Sequence, residues 1–186
     1  MDSDFYNKTI EHKSSLKKGL HTETIIKNCR FSESDWRGLR FQSCLFLNCS
    51  LEFINMDGTG LMDAQFRECK LTGIDFNKCQ SILFDISFDK CRLLSCNFSG
   101  LPMTGSVWKH SRFEECFFNE SILKKSEFSE SSFYKSEFFH CDLSGSDFSE
   151  ARDYLINPTH NTIKKAKFSY PHVLGLLEAF EINVTD

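Results

Sequence analysis

One period governs this chain: in steps of five residues from Ile26, every position is large and apolar. The series runs Ile26, Phe31, Trp36, Phe41, Phe46, Leu51, Met56, Leu61, Phe66, Leu71 and Phe76. A second series, offset by two residues, runs Leu83, Phe88, Leu93, Phe98, Met103, Trp108, Phe113, Phe118, Leu123, Phe128, Phe133, Phe138, Leu143 and Phe148. The chain has 20 Phe, far above ordinary usage, and most of them fall on these two ladders. The bias therefore reflects one structural position used repeatedly. Two residues before most of the large ones comes a small one: Ser34, Cys44, Cys49, Thr59, Ala64 and Cys69, then Cys91, Cys96, Ser106, Ser111, Cys116, Ser121, Ser126, Ser131, Ser136, Cys141 and Ser146. All nine Cys keep to this register or its frame, with Cys79 in the two-residue insertion. They read as small buried hydrophobes.

A period of five matches neither the 3.6 of a helix nor the 2 of an alternating strand. It fits a coil with four short sides, one unit per side, in which the large and small residues point inward. With 20 residues per turn the ladders fold into four columns. One holds Phe41, Leu61, Leu83, Met103, Leu123 and Leu143; the next Ile26, Phe46, Phe66, Phe88, Trp108, Phe128 and Phe148. The third holds Phe31, Leu51, Leu71, Leu93, Phe113 and Phe133; the fourth Trp36, Met56, Phe76, Phe98, Phe118 and Phe138. Like largely stacks on like, which a wrong register would scramble.

At this point the chain resembles the pentapeptide-repeat family, whose units follow a small residue, Asp or Asn, Leu or Phe, and two variable positions. Cys-Asp-Leu-Ser-Gly (Cys141 to Gly145) and Ser-Asp-Phe-Ser-Glu (Ser146 to Glu150) match that unit. The resemblance covers about residues 24–150 and implies an all-β chain, a right-handed quadrilateral β-helix of about six coils. At about 4.8 Å per stacked strand the rod is about 30 Å long. Residues 1–23 read as an N-terminal extension and 151–186 as a C-terminal cap and dimerisation segment.

An open β-helix ends in unpaired strand groups that need a cover. After Glu150 the period fails, and Asp153 to Asn161 reads as an irregular connection. Ser169 suits a helix N-cap and Pro171 a first helical turn, followed by an apolar stripe of Val173, Leu174, Leu176, Leu177 and Phe180. A short helix is expected near Tyr170 to Phe180. Its stripe is wider than a rod end needs, so Val173, Leu174, Leu177 and Phe180 are expected to meet a second copy of the chain. Ile156-Asn-Pro, Asn161, Ile163 and Lys167-Phe-Ser-Tyr-Pro, followed by Leu174, Leu176, Leu177 and Ile182, resemble the C-termini of pentapeptide-repeat proteins that protect DNA gyrase. These include immunity proteins of albicidin and microcin producers and the quinolone-resistance group. That likeness implies a head-to-head homodimer about 60 Å long, twice the single rod.

The chain carries 26 acids against 22 bases, a net charge of −4. A general nucleic-acid-binding protein would be basic, so direct binding of nucleic acid is not expected. Charge is uneven along the rod. Glu114, Glu115, Glu120, Glu127, Glu130, Glu137, Asp142, Asp147 and Glu150 face only Lys124, Lys125 and Lys135 in the same stretch. The family likeness implies that such a surface mimics duplex DNA and takes its place on a topoisomerase. Duplex DNA is far denser in charge, at one per about 1.7 Å, so for any single carboxylate a solvated surface is the simpler reading. Phe117, Tyr134 and Phe139 flank core positions and should face solvent, where exposed apolar groups mark contact surfaces.

No nucleophile, base and pocket converge, the six His keep no common spacing, and neither a phosphate loop nor a His-Glu-x-x-His motif occurs. No enzyme, cofactor or metal site is expected. No apolar run reaches the roughly 18 to 20 residues that cross a bilayer and Met1 to Leu20 lacks a signal-peptide core, so a cytoplasmic protein is expected. Two functions compete. The first is a DNA-mimicking protein that binds DNA gyrase, with topoisomerase IV as a second candidate, and protects it from poisons. The second is a pentapeptide-repeat scaffold that displays a surface to an unrelated protein, since fold alone does not fix function. Only two extra residues separate the ladders, too few for the long loops that some quinolone-protective relatives carry.

Overall fold

Each five-residue unit turns the chain by a corner, and the corner is a left-handed residue two places after the large one. Ser43, Asn48, Lys125 and Glu130 all sit there with φ between 50 and 55°. The left-handed region is costly for residues with a Cβ. Here it lets the corner N–H reach the next coil: Ser43 donates to the carbonyl of Met62, Asn48 to Arg67 and Lys125 to Ser144. The computed structural model describes residues 5–182. They form a parallel β-solenoid of about eight turns, built from strands of two to four residues.

Four faces follow from the four core columns. Face I carries parallel strands Phe5–Tyr6, Leu20–Thr22, Arg40–Gln42 and Gly60–Met62. Face II carries Thr9–Glu11, Ile25–Lys27, Leu45–Leu47, Ala64–Arg67, Ile86–Asp89 and Trp108–Lys109. Face III carries Arg30–Ser32, Ser50–Glu52, Lys70–Thr72, Arg92–Leu94 and Arg112–Glu114. Face IV is held by single bridges such as Asp35 with Asn55 and Asn97 with Phe117. The predicted columns appear in the register: Phe46 pairs with Phe66, Phe66 with Phe88, and Leu71 with Leu93.

The core is a set of stacked rings. Phe46 and Phe66 lie 4.7 Å apart with planes 10° apart; Phe98 and Phe118 lie 5.2 Å apart at 3°. Phe118 and Phe138 are 4.7 Å apart. Such pairs contribute about 0.5–1.5 kcal/mol beyond the burial of their area. The small register does more than save space. Ser126 donates its hydroxyl to the Met103 carbonyl at 3.0 Å, Ser131 to Trp108 at 3.0 Å and Ser136 to Phe113 at 3.2 Å. Cys49 and Cys91 make the same contact through sulfur, to Ile26 and Phe66, each at 3.3 Å. Ser, Cys and Thr recur where this position also donates to the preceding coil, while Leu39, Ile54, Ala64, Ile74, Ile86 and Leu101 fill it as buried hydrophobes.

The structure corrects four expectations. Residues 5–22 are not a separate N-terminal extension but the first coil: Phe5 pairs with His21 and Ile10 with Ile26, only 16 positions apart. Four residues are missing from one side, which broke the period and hid the coil. In the same coil His21 takes the large position of face I, fully buried and stacked between Phe5 at 4.4 Å and Phe41 at 5.3 Å. At the other end, Glu137–Phe138 pairs with Leu155–Ile156 and Asp147–Phe148 with Lys167–Phe168. The solenoid therefore runs well past Glu150, and about six coils become about eight.

The third correction falls in the insertion. Leu83 is 66% exposed with φ of 59°, whereas Phe84 is 6% exposed. The two extra residues lift Ile82 and Leu83 out as a tip and shift the inward position by one. Finally, the terminal helix is a 3-10 helix over His172–Phe180, and Ser169 does not cap it: its hydroxyl bonds the Ser149 carbonyl of the preceding coil instead.

Candidate partner-binding surface

The nine carboxylates of Glu114 to Glu150 do not form one acidic face. Glu127, Glu130, Asp147 and Glu150 flank Phe128 and Phe148 on face II. Glu114 and Glu115 follow Phe113 on face III, Asp142 precedes Leu143 on face I, and Glu120 and Glu137 lie beside Phe118 and Phe138 on face IV. Most are answered by a cation one coil away or nearby. Lys109 lies 3.5 Å from Glu127, Arg112 3.1 Å from Glu114 and Lys135 3.9 Å from Glu115, while the His110 imidazole, a cation only when protonated, lies 3.5 Å from Glu130. Lys124 lies 2.9 Å from Asp142, and Lys167 2.9 Å from Asp147. The Ser149 hydroxyl, with Lys167 beside it, holds the Asp147 carboxyl down at about 2. Among the described residues, Glu120, Glu137 and Glu150 have no such partner.

Two of these three unpaired acids share face IV with the exposed aromatics. Along the coils the position before the large residue reads Asp35, Asn55, Asp75, Asn97, then Phe117, Glu137 and Leu155. In the first half these side chains are consumed locally: the Asp35, Asn55 and Asn97 carboxyl or amide oxygens accept the N–H two residues on. From Phe117 the column presents exposed apolar side chains on either side of Glu137. Phe117 is 42% exposed and Leu155 53%. Phe139, also exposed, stacks on His140 at 3.9 Å and meets His160 edge-on at 5.2 Å. Phe117 and Leu155 thus stand on either side of Glu137 in one column and Phe139 follows Phe138 on the same face, whereas Tyr134 stands on face III. Its ring carries the Arg112 guanidinium at 6.0 Å and the Lys135 ammonium at 5.4 Å. Leu155 was hidden to sequence reasoning because the period breaks between Glu150 and Asn161.

The terminal helix packs on the last coil. Leu176 is buried, Val173, Leu174 and Leu177 are half-buried, and Phe180 is exposed. A Cβ at Gly175 would lie 3.1 Å from the Tyr154 carbonyl, so glycine lets the helix backbone come this close. Tyr154 is enclosed below it, and burial pushes its phenol up to about 12.

All nine cysteines are buried and free. Thiols stack on successive coils: the Cys49 N–H points at the Cys69 sulfur at 3.4 Å. Burial pushes the Cys79 thiol up to about 12, and the Cys44 and Cys116 thiols upward as well. Such thiols stay protonated and unreactive at neutral pH. Among the described residues no group of three or more His, Cys, Asp or Glu could hold a metal ion, and no helix is long and apolar enough to cross a membrane.

No protein-family model matches the chain, and no curated protein does. Solved structures do. A trypsin-treated form of QnrB1, a plasmid-mediated fluoroquinolone resistance protein, superposes with a TM-score of 0.60 at 16% identity, covering 97% of each chain. The fold is that of the pentapeptide-repeat solenoids. HetL, a pentapeptide-repeat protein involved in heterocyst differentiation in the cyanobacterium Nostoc, matches with a TM-score of 0.44 at 13% identity over 89% of this chain and 85% of its own.

Proposed function

We propose that this protein binds DNA gyrase, with topoisomerase IV as a second candidate, as a homodimer that takes the place of DNA and spares the enzyme from poisons that trap its cleaved complex. The observation that carries this reading is the end-to-end correspondence with QnrB1, a fluoroquinolone resistance protein, over 97% of both chains. The tail supports it: the half-buried Val173, Leu174 and Leu177 and the exposed Phe180 offer an apolar end on which a second copy can sit. The role needs a surface rather than a pocket.

Within that reading, face IV is the contact. Glu120 and Glu137 are free to meet a cation, and Phe117, Phe139 and Leu155 supply the apolar centre that binding hot spots require. The five acids paired with Lys or Arg contribute less, because exposed pairs already satisfied within the chain gain little from a new partner. That internal neutralisation favours the second reading, a scaffold for some other protein, over mimicry by charge alone. Binding to purified gyrase, measured with Phe117→Ala/Phe139→Ala and Glu137→Lys beside Glu150→Lys, separates the two. Loss confined to the face IV variants supports the proposal; wild-type protein that fails to bind gyrase refutes it.

A further inference from the structure

Face III carries a second ordered charge pattern, of opposite sign. The position before each large residue on this face forms one unbroken ladder: Arg30 pairs with Ser50, Ser50 with Lys70, Lys70 with Arg92 and Arg92 with Arg112. Arg112 then pairs with Ser132, and Ser132 with Arg152. Seven consecutive coils thus present five cations and two serines in one straight file, and no acid. At about 4.8 Å per coil the file is about 29 Å long.

Nothing in the fold calls for cations there. The same outward position on face II is filled by Ile25, Leu45, Gln65, Ser87 and Val107 and then by two acids, Glu127 and Asp147. Among the described residues Arg30, Lys70 and Arg92 have no ion pair, and only Arg112 and Arg152 are met by a neighbouring acid, Glu114 at 3.1 Å and Asp153 at 3.8 Å. Like charges stacked on adjacent coils repel, so the isolated rod is destabilised by a pattern that an anionic chain would relieve.

We infer that face III is a docking track for an extended, acidic segment of a partner protein, laid along the Arg30–Arg152 file. The width of the track selects the occupant. Glu52 and Glu114 stand in the column beside the file, with Glu33 and Glu115 at the corner beyond, so acids bound the positive strip on that side. A duplex, with a charge every 1.7 Å or so, would press its phosphates against those acids. An extended peptide with alternate acids sets carboxylates about 6.6 Å apart along one edge, and arginine forks take carboxylates two-pronged. A single strand of nucleic acid would need open aromatic faces for its bases. The exposed aromatics on this face, Phe53 and Tyr134, stand four coils apart, about 19 Å, too far for successive bases to stack on them, and two cations already lie over the Tyr134 ring.

The test uses the full chain and a labelled peptide of about ten residues alternating Glu and Ser, long enough to span the file. Titration at about 0.01 M salt, where the Debye length is about 30 Å, gives the affinity. Arg92→Gln/Arg112→Gln should weaken it by roughly fivefold or more, and Arg30→Gln/Lys70→Gln likewise. Lys124→Gln/Lys125→Gln removes the same charge from face I and should leave it unchanged. Melting curves identify any variant that fails to fold, and the second face III pair then decides. No binding, equal loss from both faces, or tighter binding of a thymidine oligonucleotide than of the peptide would each overturn the inference.

Discussion

Replacing Phe128 with Ala probes the inward register at its most enclosed point. The ring is fully buried, 4.4 Å from Phe148, 5.4 Å from Phe133 and 5.7 Å from Trp108. Deleting a buried Phe costs about 3–5 kcal/mol, and the upper part of that range applies where neighbours do not close the cavity. Here they cannot. Trp108 and Phe148 stand in the same column, and their backbones are tied to the rung between them: Trp108 donates to Glu127, and Asp147 to Ser126, each at 2.9 Å. For a chain of this size, each kcal/mol moves the melting midpoint by about 2–4 °C, so the variant should melt roughly 6–20 °C below the parent. Circular dichroism followed against temperature reads this directly. Because each coil contacts only its neighbours, the transition should also broaden toward the C-terminal half. A midpoint within about 2 °C of the parent would refute the packing argument.

Four further outcomes follow from the same geometry. Phe84→Ala should cost about 3 kcal/mol whereas Leu83→Ala should cost less than about 0.5 kcal/mol, a contrast checked by urea unfolding. At pH 8 the native cysteines should resist a thiol reagent that titrates all nine after unfolding. Since burial lifts the Cys79 thiol from 9.0 to about 12, its protonated form favours the fold, and that stabilisation is lost as pH rises through this window. Asp147 has the opposite sign: its folded value of about 2 lies below the ordinary 3.8, so its contribution is present above pH 4 and is lost on acidification toward pH 2. Asp147→Asn should flatten the melting profile there. Leu177→Asp/Phe180→Asp should convert a dimer to a monomer or to aggregates by light scattering; a parent that is already monomeric contradicts the dimer proposal.

Most of the solenoid was legible because its signal is a strict period. Wherever 20 residues make a turn, the columns written from sequence are the columns in the structure, as Phe46 over Phe66 and Phe113 over Phe133 demonstrate. Legibility failed where the turn length changed. The 16-residue first coil concealed Ile10 and His21, and the irregular stretch after Glu150 concealed Tyr154, Ile156 and Leu155. The two-residue insertion was visible, but which of Leu83 and Phe84 turns inward depends on a left-handed corner that sequence does not mark.

The surface was read less well, for a physical reason. Exposure of Phe117, Tyr134 and Phe139 follows from register and holds in the structure. Grouping does not follow from linear charge counts, because residues five apart point to different faces and residues 20 apart to the same one. The stretch from Glu114 to Glu150, acidic as a string, is dispersed over four faces and largely paired with cations such as Lys167 from outside it. The Arg30–Arg152 file, invisible in any contiguous window, is the most uniform charged column on the rod.

The proposal of topoisomerase protection is tested most directly by a cleavage assay: purified gyrase, supercoiled DNA and a fluoroquinolone or a peptide-type poison, with increasing amounts of this protein. Fewer poison-trapped breaks and restored supercoiling, both lost with Phe117→Ala/Phe139→Ala, are the predicted result. Unchanged cleavage with both poisons, at protein concentrations equal to the enzyme and well above it, would contradict the account and leave the solenoid as a scaffold for another partner.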